Sequence, residues 1–283
     1  MPDIAVTIKG VRVPRFLYGT AWKEEETQRL TRLAIEAGFR GIDTANQRRH
    51  YHEVGVGGAI RSAIHDGIVK RDELFLQTKF TSQAGQDHRL PFDPHAPIAL
   101  QVEQSFASSL EHLGVSSLDS YVLHGPTRRV GLGRADWEAW RAMEAIFASG
   151  GTRFLGVSNV SLGQLEELCD RAEVQPTFVQ NRCYANRGWD RSVRAFCAAH
   201  SMFYQGFSLL TANREVLAHP ELVRIARKHQ CGVGQAIFRF ALDVGMIPLT
   251  GTTNPQHMRD DLAVFGFRLD PDEIDRIDHV FPA

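Results

Sequence analysis

The sequence predicts a single (β/α)8 barrel of the TIM type, with an N-terminal β-hairpin and a C-terminal tail helix. Three observations predict it. Short apolar runs alternate, eight times over, with longer segments whose apolar residues recur at helical spacing. No Pro/Ser-rich linker divides the chain into halves. The turn after the first barrel run, Gly19–Thr20–Ala21–Trp22, is not the G-x-G-x-x-G that a doubly wound open sheet would want there. Residues 1–283 are therefore expected to form one domain, with 1–14 as the hairpin and 264–283 as the tail.

Ala5–Ile8 and Val11–Val13, joined by Lys9–Gly10, read as the hairpin. The expected barrel strands are Phe16–Tyr18, Phe39–Ile42, Leu74–Thr78, Leu118–Leu123, Phe154–Val157, Thr177–Val179, Met202–Gln205 and Met246–Pro248. Helices fill the connections. Glu24–Ala37 opens on three glutamates, which suit the positive end of a helix, and stops at Gly38. Gly57–His65 follows, then Ala96–Leu113 and Ala135–Ser149, ended by Gly114 and by Gly150–Gly151. Leu162–Ala172 has Ser161 as a natural N-cap, and Asp190–His200 comes after it. Pro220–His229 and Gly234–Val244 share the seventh connection. Pro255–Leu262 follows the last strand, and Pro271–His279 forms the tail.

Composition excludes several classes of function. The formal net charge is −1, so no basic excess is available to neutralise a run of phosphates, which argues against a nucleic-acid partner. Arg48–Arg49 and Arg128–Arg129 read as solvated loop charge. Nothing approaches the ~20 consecutive apolar residues of a membrane span. Cys169, Cys183, Cys197 and Cys231 show no C-x-x-C spacing, and no signal-peptide pattern opens the chain. A reduced, cytoplasmic setting is expected. Oligomeric state is open, with a monomer favoured.

In a barrel of this kind the active site forms at the C-terminal ends of the strands. Those ends are polar one after another. The second run ends at Asp43, LFLQTK at Lys79, DSYVLH at His124, FLGVSN at Ser158 and Asn159, and FVQN at Gln180 and Asn181. The seventh ends at Phe207 and Ser208, and the eighth runs into Leu249–Thr253. Singly, each has an ordinary role: Asp43 as a turn cap, Lys79 as a solvated or paired lysine, His124 as a core histidine, Tyr51 as a packing aromatic. Together they form an acid–base set. A lysine ammonium beside a phenol is expected to lower its pKa from an ordinary value of about 10. A carboxylate would hold that lysine, and a histidine can orient a carbonyl oxygen. This suits Tyr51 as general acid to a carbonyl that receives hydride; a cofactor must supply the hydride, since no side chain can.

The pieces GTAW at Gly19–Trp22, GIDTA at Gly41–Ala45, LQTK at Leu76–Lys79 and DSYVLHGP at Asp119–Pro126 occur in this order. GVSN at Gly156–Asn159, QN at Gln180–Asn181 and IPLTGTTNPQHMRDDL from Ile247 continue it. On these the chain resembles an aldo-keto reductase over essentially its whole length. The resemblance implies reduction of an aldehyde or ketone, or the reverse oxidation of an alcohol, with NADP(H) as cofactor and NAD(H) as the second candidate. It implies a tetrad of Asp43, Tyr51, Lys79 and His124. Ser158, Asn159 and Gln180 would hold the nicotinamide carboxamide, with Asp43 and Thr20 close to the nicotinamide ribose. Phe207 falls where the family usually has a stacking tyrosine and keeps the aromatic face. Ser208, Leu209 and Leu210 would line the pyrophosphate, and the segment holding Gly251, Thr252, Thr253, His257, Arg259, Asp260 and Asp261 would take the far end of the cofactor.

Three departures from the family pattern matter. The family tyrosine comes five residues after the aspartate, where this chain has Arg48; Tyr51 comes eight after. Either the loop is longer by three and Tyr51 swings into place, or the phenol is missing. Glu53 and the Val56–Gly57 helix start, which follow Tyr51 as in the family, favour the first. Next, Gly251 and His257 stand where the family often has a lysine and an arginine for the 2′-phosphate; Arg259 is the substitute. Last, Gly125 follows His124 where many members place a tryptophan, which leaves Trp22 as the aromatic wall of a roomier substrate pocket. Substrate choice is expected to lie in the segments Thr81–His95, Thr127–Arg134 and Leu210–His219.

Other readings explain less. A Schiff-base lyase built on Lys79 would leave Ser158, Asn159 and Gln180 without a task. A nicotinamide-binding barrel without useful catalysis, like the regulatory subunits of the wider family, is the non-enzyme alternative. A metal site at His50, His52 and Glu53 rests on alternation in an exposed polar loop alone.

Overall fold

The structure, a computed structural model, describes residues 4–281. The hairpin is present as β1 (Ala5–Ile8) and β2 (Val11–Pro14), antiparallel, with Ala5 opposite Pro14 and Ile8 opposite Val11. The barrel strands are β3 (Leu17–Gly19), β4 (Gly41–Asp43), β5 (Phe75–Phe80), β6 (Leu118–Leu123), β7 (Thr152–Ser158), β8 (Phe178–Arg182), β9 (Phe203–Phe207) and β10 (Ile247–Thr250). They close in the order β10-β3-β4-β5-β6-β7-β8-β9, the expected parallel barrel. Several strands run further toward their C-terminal ends than the apolar runs do. The reason is that polar end residues still pair: Asp43 lies in register with Gln77, and Lys79 with Val122.

By packing, the chain divides into two compact units. The first is Tyr18–Val179. It holds α1 (Thr27–Ala37, after a 3-10 turn at Glu24–Glu26), α2 (Glu53–His65), α3 (Ile98–Leu113), α4 (Arg134–Ala148) and α5 (Leu162–Arg171). Gly38 and Gly114 end α1 and α3 in the left-handed conformation, at φ 112° and 70°, as their positions in sequence implied. Ser161 Oγ accepts from Gln164 N at 3.3 Å and caps α5, while Gln164 Oε1 returns a bond to Ser161 N. α2 starts four residues earlier than its glycines suggested, because those glycines serve a close approach rather than a helix start. A Cβ on Gly57 would lie 2.0 Å from the His112 carbonyl oxygen of α3. Phe178 packs edge-on against Phe75 and Phe154, with ring centroids 5.6 and 5.5 Å apart.

The second unit joins the N-terminal residues up to Leu17 with the chain from Gln180 onward. Its helices are α6 (Arg191–Ala199), α7 (Arg214–Leu217), α8 (Pro220–Lys228), α9 (Val233–Asp243), α10 (Pro255–Ala263) and α11 (Pro271–Asp278). The single turn α7 has no counterpart in the sequence reading; four residues are too few to show a period. Arg15 after the hairpin donates to Leu242 O at 3.0 Å, and Phe16 packs on Phe238. Trp189, fully buried, donates through its indole to Ile277 O at 2.8 Å and so fastens the tail helix α11. Among the described residues no helix is long and apolar enough to cross a membrane.

Candidate active site

Side chains on a strand alternate between its two faces. On β5 this sends Gln77 and Lys79 one way and Thr78 the other. Gln77 Nε2 donates to Asp43 Oδ1 at 2.7 Å, and Lys79 Nζ reaches Oδ1 and Oδ2 at 2.7 Å each. Lys79 also donates to the Thr44 carbonyl at 2.8 Å. An ammonium has three N–H donors, so this set engages all of them. Lys79 is 0% exposed and Asp43 3%. Burial pulls the Lys79 pKa below the usual lysine range, against the opposing pull of Asp43 and, more weakly, Glu53. Behind the strand, Thr78 gives its hydroxyl to the buried Glu53 carboxylate, which also takes Ser109 Oγ at 3.1 Å and meets His112 Nδ1 at 3.1 Å. The bond to Glu53 raises the pKa of His112.

The chain between Asp43 and Tyr51 coils. Gln47 O accepts from both His50 N at 3.1 Å and Tyr51 N at 2.9 Å, one helix-like turn. Three residues advance about 4.5 Å along a helix axis, against roughly 10 Å when extended, so the turn takes up the additional residues. It brings the Tyr51 ring to 5.4 Å from Lys79 Nζ and, edge-on, to 5.9 Å from the His124 ring, centroid distances in both cases. Arg48, at the family's tyrosine position, meets Glu25 at 3.4 Å and Glu24 at 3.8 Å. Tyr51 also lines a separate cleft with Arg48, His52, Arg89 and His112, apart from Asp43, Lys79 and His124.

One expectation is corrected. The Tyr51 pKa is raised above the ordinary range, not lowered. Desolvation of the phenol is the main cause and the negative charge of Asp43 the second. Lys79 does not reverse this, because its charge is held against that same carboxylate at bonding distance.

His124 contacts Thr81 Oγ1 through Nδ1 at 2.6 Å. Burial of the imidazole, helped by the positive charges of Lys79 and His50, depresses its pKa to about 3, so the ring is neutral at ordinary pH. Tyr51 and His124 are both half-buried. The His124 main chain is fixed by Phe80 O, at 2.9 Å from its N, and by Asn159 Nδ2, which donates to its O at 2.8 Å.

The remaining residues fall out as follows. Thr20 gives both its N–H and its hydroxyl to Asp43 O, at 3.0 Å each, so it steadies the end of β4. Ser158 is buried at the end of β7, and Asn159 beside it is exposed with φ 55°, a conformation asparagine tolerates. In the second unit Gln180 Nε2 donates to Gln205 Oε1 at 2.9 Å. Phe207 ends β9 with the Arg182 guanidinium 5.7 Å from its ring centroid, and Ser208 follows at φ 58°. Leu209 is 1% exposed, which restricts any phosphate contact to its main chain, and Leu210 packs near Gly234. Gly251, Thr253, His257 and Arg259 are exposed, Thr252 and Asp260 half-buried, and Asp261 is buried with its pKa raised to about 6 by desolvation. Arg259 donates to Gln256 Oε1 at 2.6 Å. Trp22 is 68% exposed and lies over the His50 ring at 3.9 Å between centroids; its N–H donates to His50 O at 2.7 Å. At Gly125 a Cβ would meet Asn159 Cβ at 3.4 Å, an ordinary contact. His50 on Trp22 and Glu53 under β5 do not converge, and among the described residues no cluster of three His, Cys, Asp or Glu is arranged to hold a metal.

Gln77, Thr81 and the Glu53 cluster were not singled out from the sequence. The signal was there in part: Gln77, Lys79 and Thr81 are spaced by two, the strand period, so a functional lysine implied functional neighbours on its own face. The Glu53 cluster gave none, since its partners come from two separate elements, Thr78 on β5 and Ser109 and His112 on α3.

The fold has known counterparts. An uncharacterized oxidoreductase of Bacillus subtilis (strain 168) is 31% identical over 272 residues, 95% of this chain and 89% of that one. The glyoxal reductase of the same organism is 29% identical, covering 98% of this chain and 92% of its own. The crystal structure of a Bombyx mori aldo-keto reductase in complex with NADP superposes with a TM-score of 0.82 at 26% identity, over 97% of this chain and 91% of that chain. The sequence profile of the Aldo/keto reductase family matches residues 16–281, from the first barrel strand through the tail helix, and the chain belongs to that family.

Proposed function

We propose that this protein reduces an aldehyde or ketone to an alcohol, reversibly, with hydride from NADP(H). Carbonyl reduction is the general chemistry of the family. The reading for this chain is carried by one observation: Tyr51, eight residues after Asp43, lies against both Lys79 and His124.

The chemistry of the residues fits a nicotinamide cofactor. In the first unit Ser158 and Asn159 offer hydroxyl and amide partners for a carboxamide; in the second, Gln180 offers an amide and Phe207 an aromatic face. Ser208 and the main chain of Leu209 and Leu210 would take the pyrophosphate, and Thr252, Thr253 and Arg259 the adenosine end. When bound, the reduced nicotinamide supplies hydride to the carbonyl carbon.

The protein's own residues handle the oxygen. Tyr51, kept protonated by its raised pKa, donates a proton to the oxygen as negative charge builds there. His124 is neutral and orients that oxygen by hydrogen bonding without competing for the proton. Lys79 has its three donors engaged and acts as a fixed positive charge near the developing oxyanion. Asp43 and Gln77 hold it there. Trp22 with His50 forms a wall for the substrate, and Gly125 leaves room beside it.

Lys79 also argues against the lyase reading, since a fully buried ammonium bonded to a carboxylate and a carbonyl is poorly placed to attack a substrate. The test is spectrophotometric: mix the protein with NADPH or NADH and a panel of aliphatic and aromatic aldehydes, and follow loss of the reduced cofactor. Turnover supports the reading; cofactor binding without turnover across the panel points to a regulatory barrel. Gly251 and His257 supply no fixed charge for the 2′-phosphate. Discrimination between the two cofactors is therefore expected to be weaker than is usual in the family, and a preference for NADPH of roughly a thousandfold, about 4 kcal/mol, would mean that Arg259 has taken over fully.

A further inference from the structure

We propose that Thr81 is a positioning residue for His124: its hydroxyl donates to Nδ1 and holds the imidazole in the tautomer that carries its proton on Nε2. The inference rests on the carbonyl-reductase reading for the direction of that bond; the close contact between Thr81 and His124 does not depend on it.

A neutral imidazole has one nitrogen that donates and one that accepts, and the partner of one nitrogen decides the role of the other. The Nδ1 of His124 has Thr81 Oγ1 at 2.6 Å. A carbonyl oxygen can only accept, so a histidine that orients it must offer N–H. That requires the proton on Nε2 and therefore a donor facing Nδ1. A threonine hydroxyl meets the requirement because it can donate; a carboxylate or carbonyl in its place would enforce the opposite tautomer. Lys79 cannot take over, because its N–H groups go to Asp43 and Thr44.

Thr81 is built in tightly enough to do this. It is 5% exposed and directly follows β5, two residues beyond Lys79, so the strand that places the lysine also places the hydroxyl. Its methyl faces Gly85, where a Cβ would lie 2.7 Å from Thr81 Cγ2, so the glycine makes room for the side chain in this orientation. Its carbonyl accepts from Gln86 Nε2 at 3.2 Å, and the same Nε2 donates to Asn46 O at 2.8 Å. One amide thus ties the histidine's partner to the segment that carries Tyr51.

The test pairs a spectroscopic readout with kinetics in wild type, Thr81→Val and Thr81→Ser. With histidine labelled by nitrogen-15, long-range proton–nitrogen correlation identifies the protonated nitrogen of His124, assigned by its loss in His124→Gln. Wild type and Thr81→Ser are expected to show Nε2–H, and Thr81→Val a mixture of tautomers. Loss of the bond should lower kcat/KM for an uncharged aldehyde about tenfold in Thr81→Val, mainly through KM, with Thr81→Ser within about twofold of wild type. Cofactor affinity, read by fluorescence titration, should be unchanged. An Nδ1–H tautomer in wild type overturns the proposal, as does a Thr81→Val protein with unchanged tautomer and kinetics. If the wild type reduces no carbonyl, the function reading fails, while the tautomer measurement still decides the role of Thr81.

Discussion

Tyr51→Phe removes one oxygen from the centre of the site and little else. The ring is kept, so its edge contact with His124 and its face toward Lys79 are kept as well. Among the described residues no protein group hydrogen-bonds the Tyr51 hydroxyl, so folding loses no internal bond. The cost in stability is expected to stay within about 1 kcal/mol, a shift in Tm of roughly 2–4 °C for a chain of this size. Activity is a different matter. A positioned general acid contributes about 10²–10⁴ in rate, which at about 1.4 kcal/mol per tenfold is roughly 3–5 kcal/mol of barrier. Neither neighbour replaces it, since Lys79 has its donors engaged and His124, with its pKa near 3, is a poor source of protons at neutral pH. The assay is kcat/KM for aldehyde reduction, with a cofactor titration and a thermal melt on the same preparation. A variant that melts and binds cofactor normally but loses two to four decades supports the reasoning. One that retains activity within about threefold refutes it, and would leave the barrel and the cofactor residues unexplained by this tetrad.

Other perturbations follow from the same geometry. Because the Tyr51 pKa is raised and that of His124 is depressed, kcat/KM for reduction should be flat across roughly pH 6–9, where neither titrates, whereas alcohol oxidation, which needs the base form of Tyr51, should rise with pH. An acid limb near pH 6.5 in the reduction profile would show that His124 titrates as an ordinary histidine. Asp43→Ala leaves the buried Lys79 with only the Thr44 carbonyl and should cost about 3–5 kcal/mol in denaturant unfolding; a loss under 1 kcal/mol would mean the lysine can shed its charge or rearrange. Gly57→Ala and Gly163→Ala should differ in sign. The first drives a methyl into the His112 carbonyl and should cost about 1–3 kcal/mol or more, while the second, in α5 with no atom within 4 Å of the new Cβ, should be neutral or stabilising by up to about 1 kcal/mol. Equal effects in the two melts would contradict the close approach of α2 and α3.

The outcomes differ by residue in an instructive way. The barrel could be read from residues because a parallel strand buried on both sides and an amphipathic helix each leave a local period in the sequence. The strand-end acids, bases and amides followed from that reading, since a strand that stops in a barrel stops at the site. Tyr51 needed more. Its distance from Asp43 in sequence left two arrangements open, and the turn closed on Gln47 O brings its ring toward Lys79 and His124. Its pKa shifts upward, opposite to the sequence expectation, because a lysine's nearness says nothing about which carboxylate already holds its charge.

By itself the sequence determined the order of the β/α units and offered Asp43, Lys79, His124, Ser158, Asn159 and Gln180 as candidate site residues at the strand ends. These depend on neighbours a few residues apart, where backbone periodicity dictates direction. The tertiary structure decided that three additional residues coil so that Tyr51 meets Lys79 and His124, and that Lys79 is saturated by Asp43 and Thr44. It also decided that Thr81, an unremarked threonine in sequence, faces His124. Each of these depends on groups tens of residues apart, on distances of a few tenths of an ångström and on the dielectric around them, none of which leaves a local pattern in the chain. Tyr51, the proposed general acid, is thus given in type by sequence and in place by one turn of backbone.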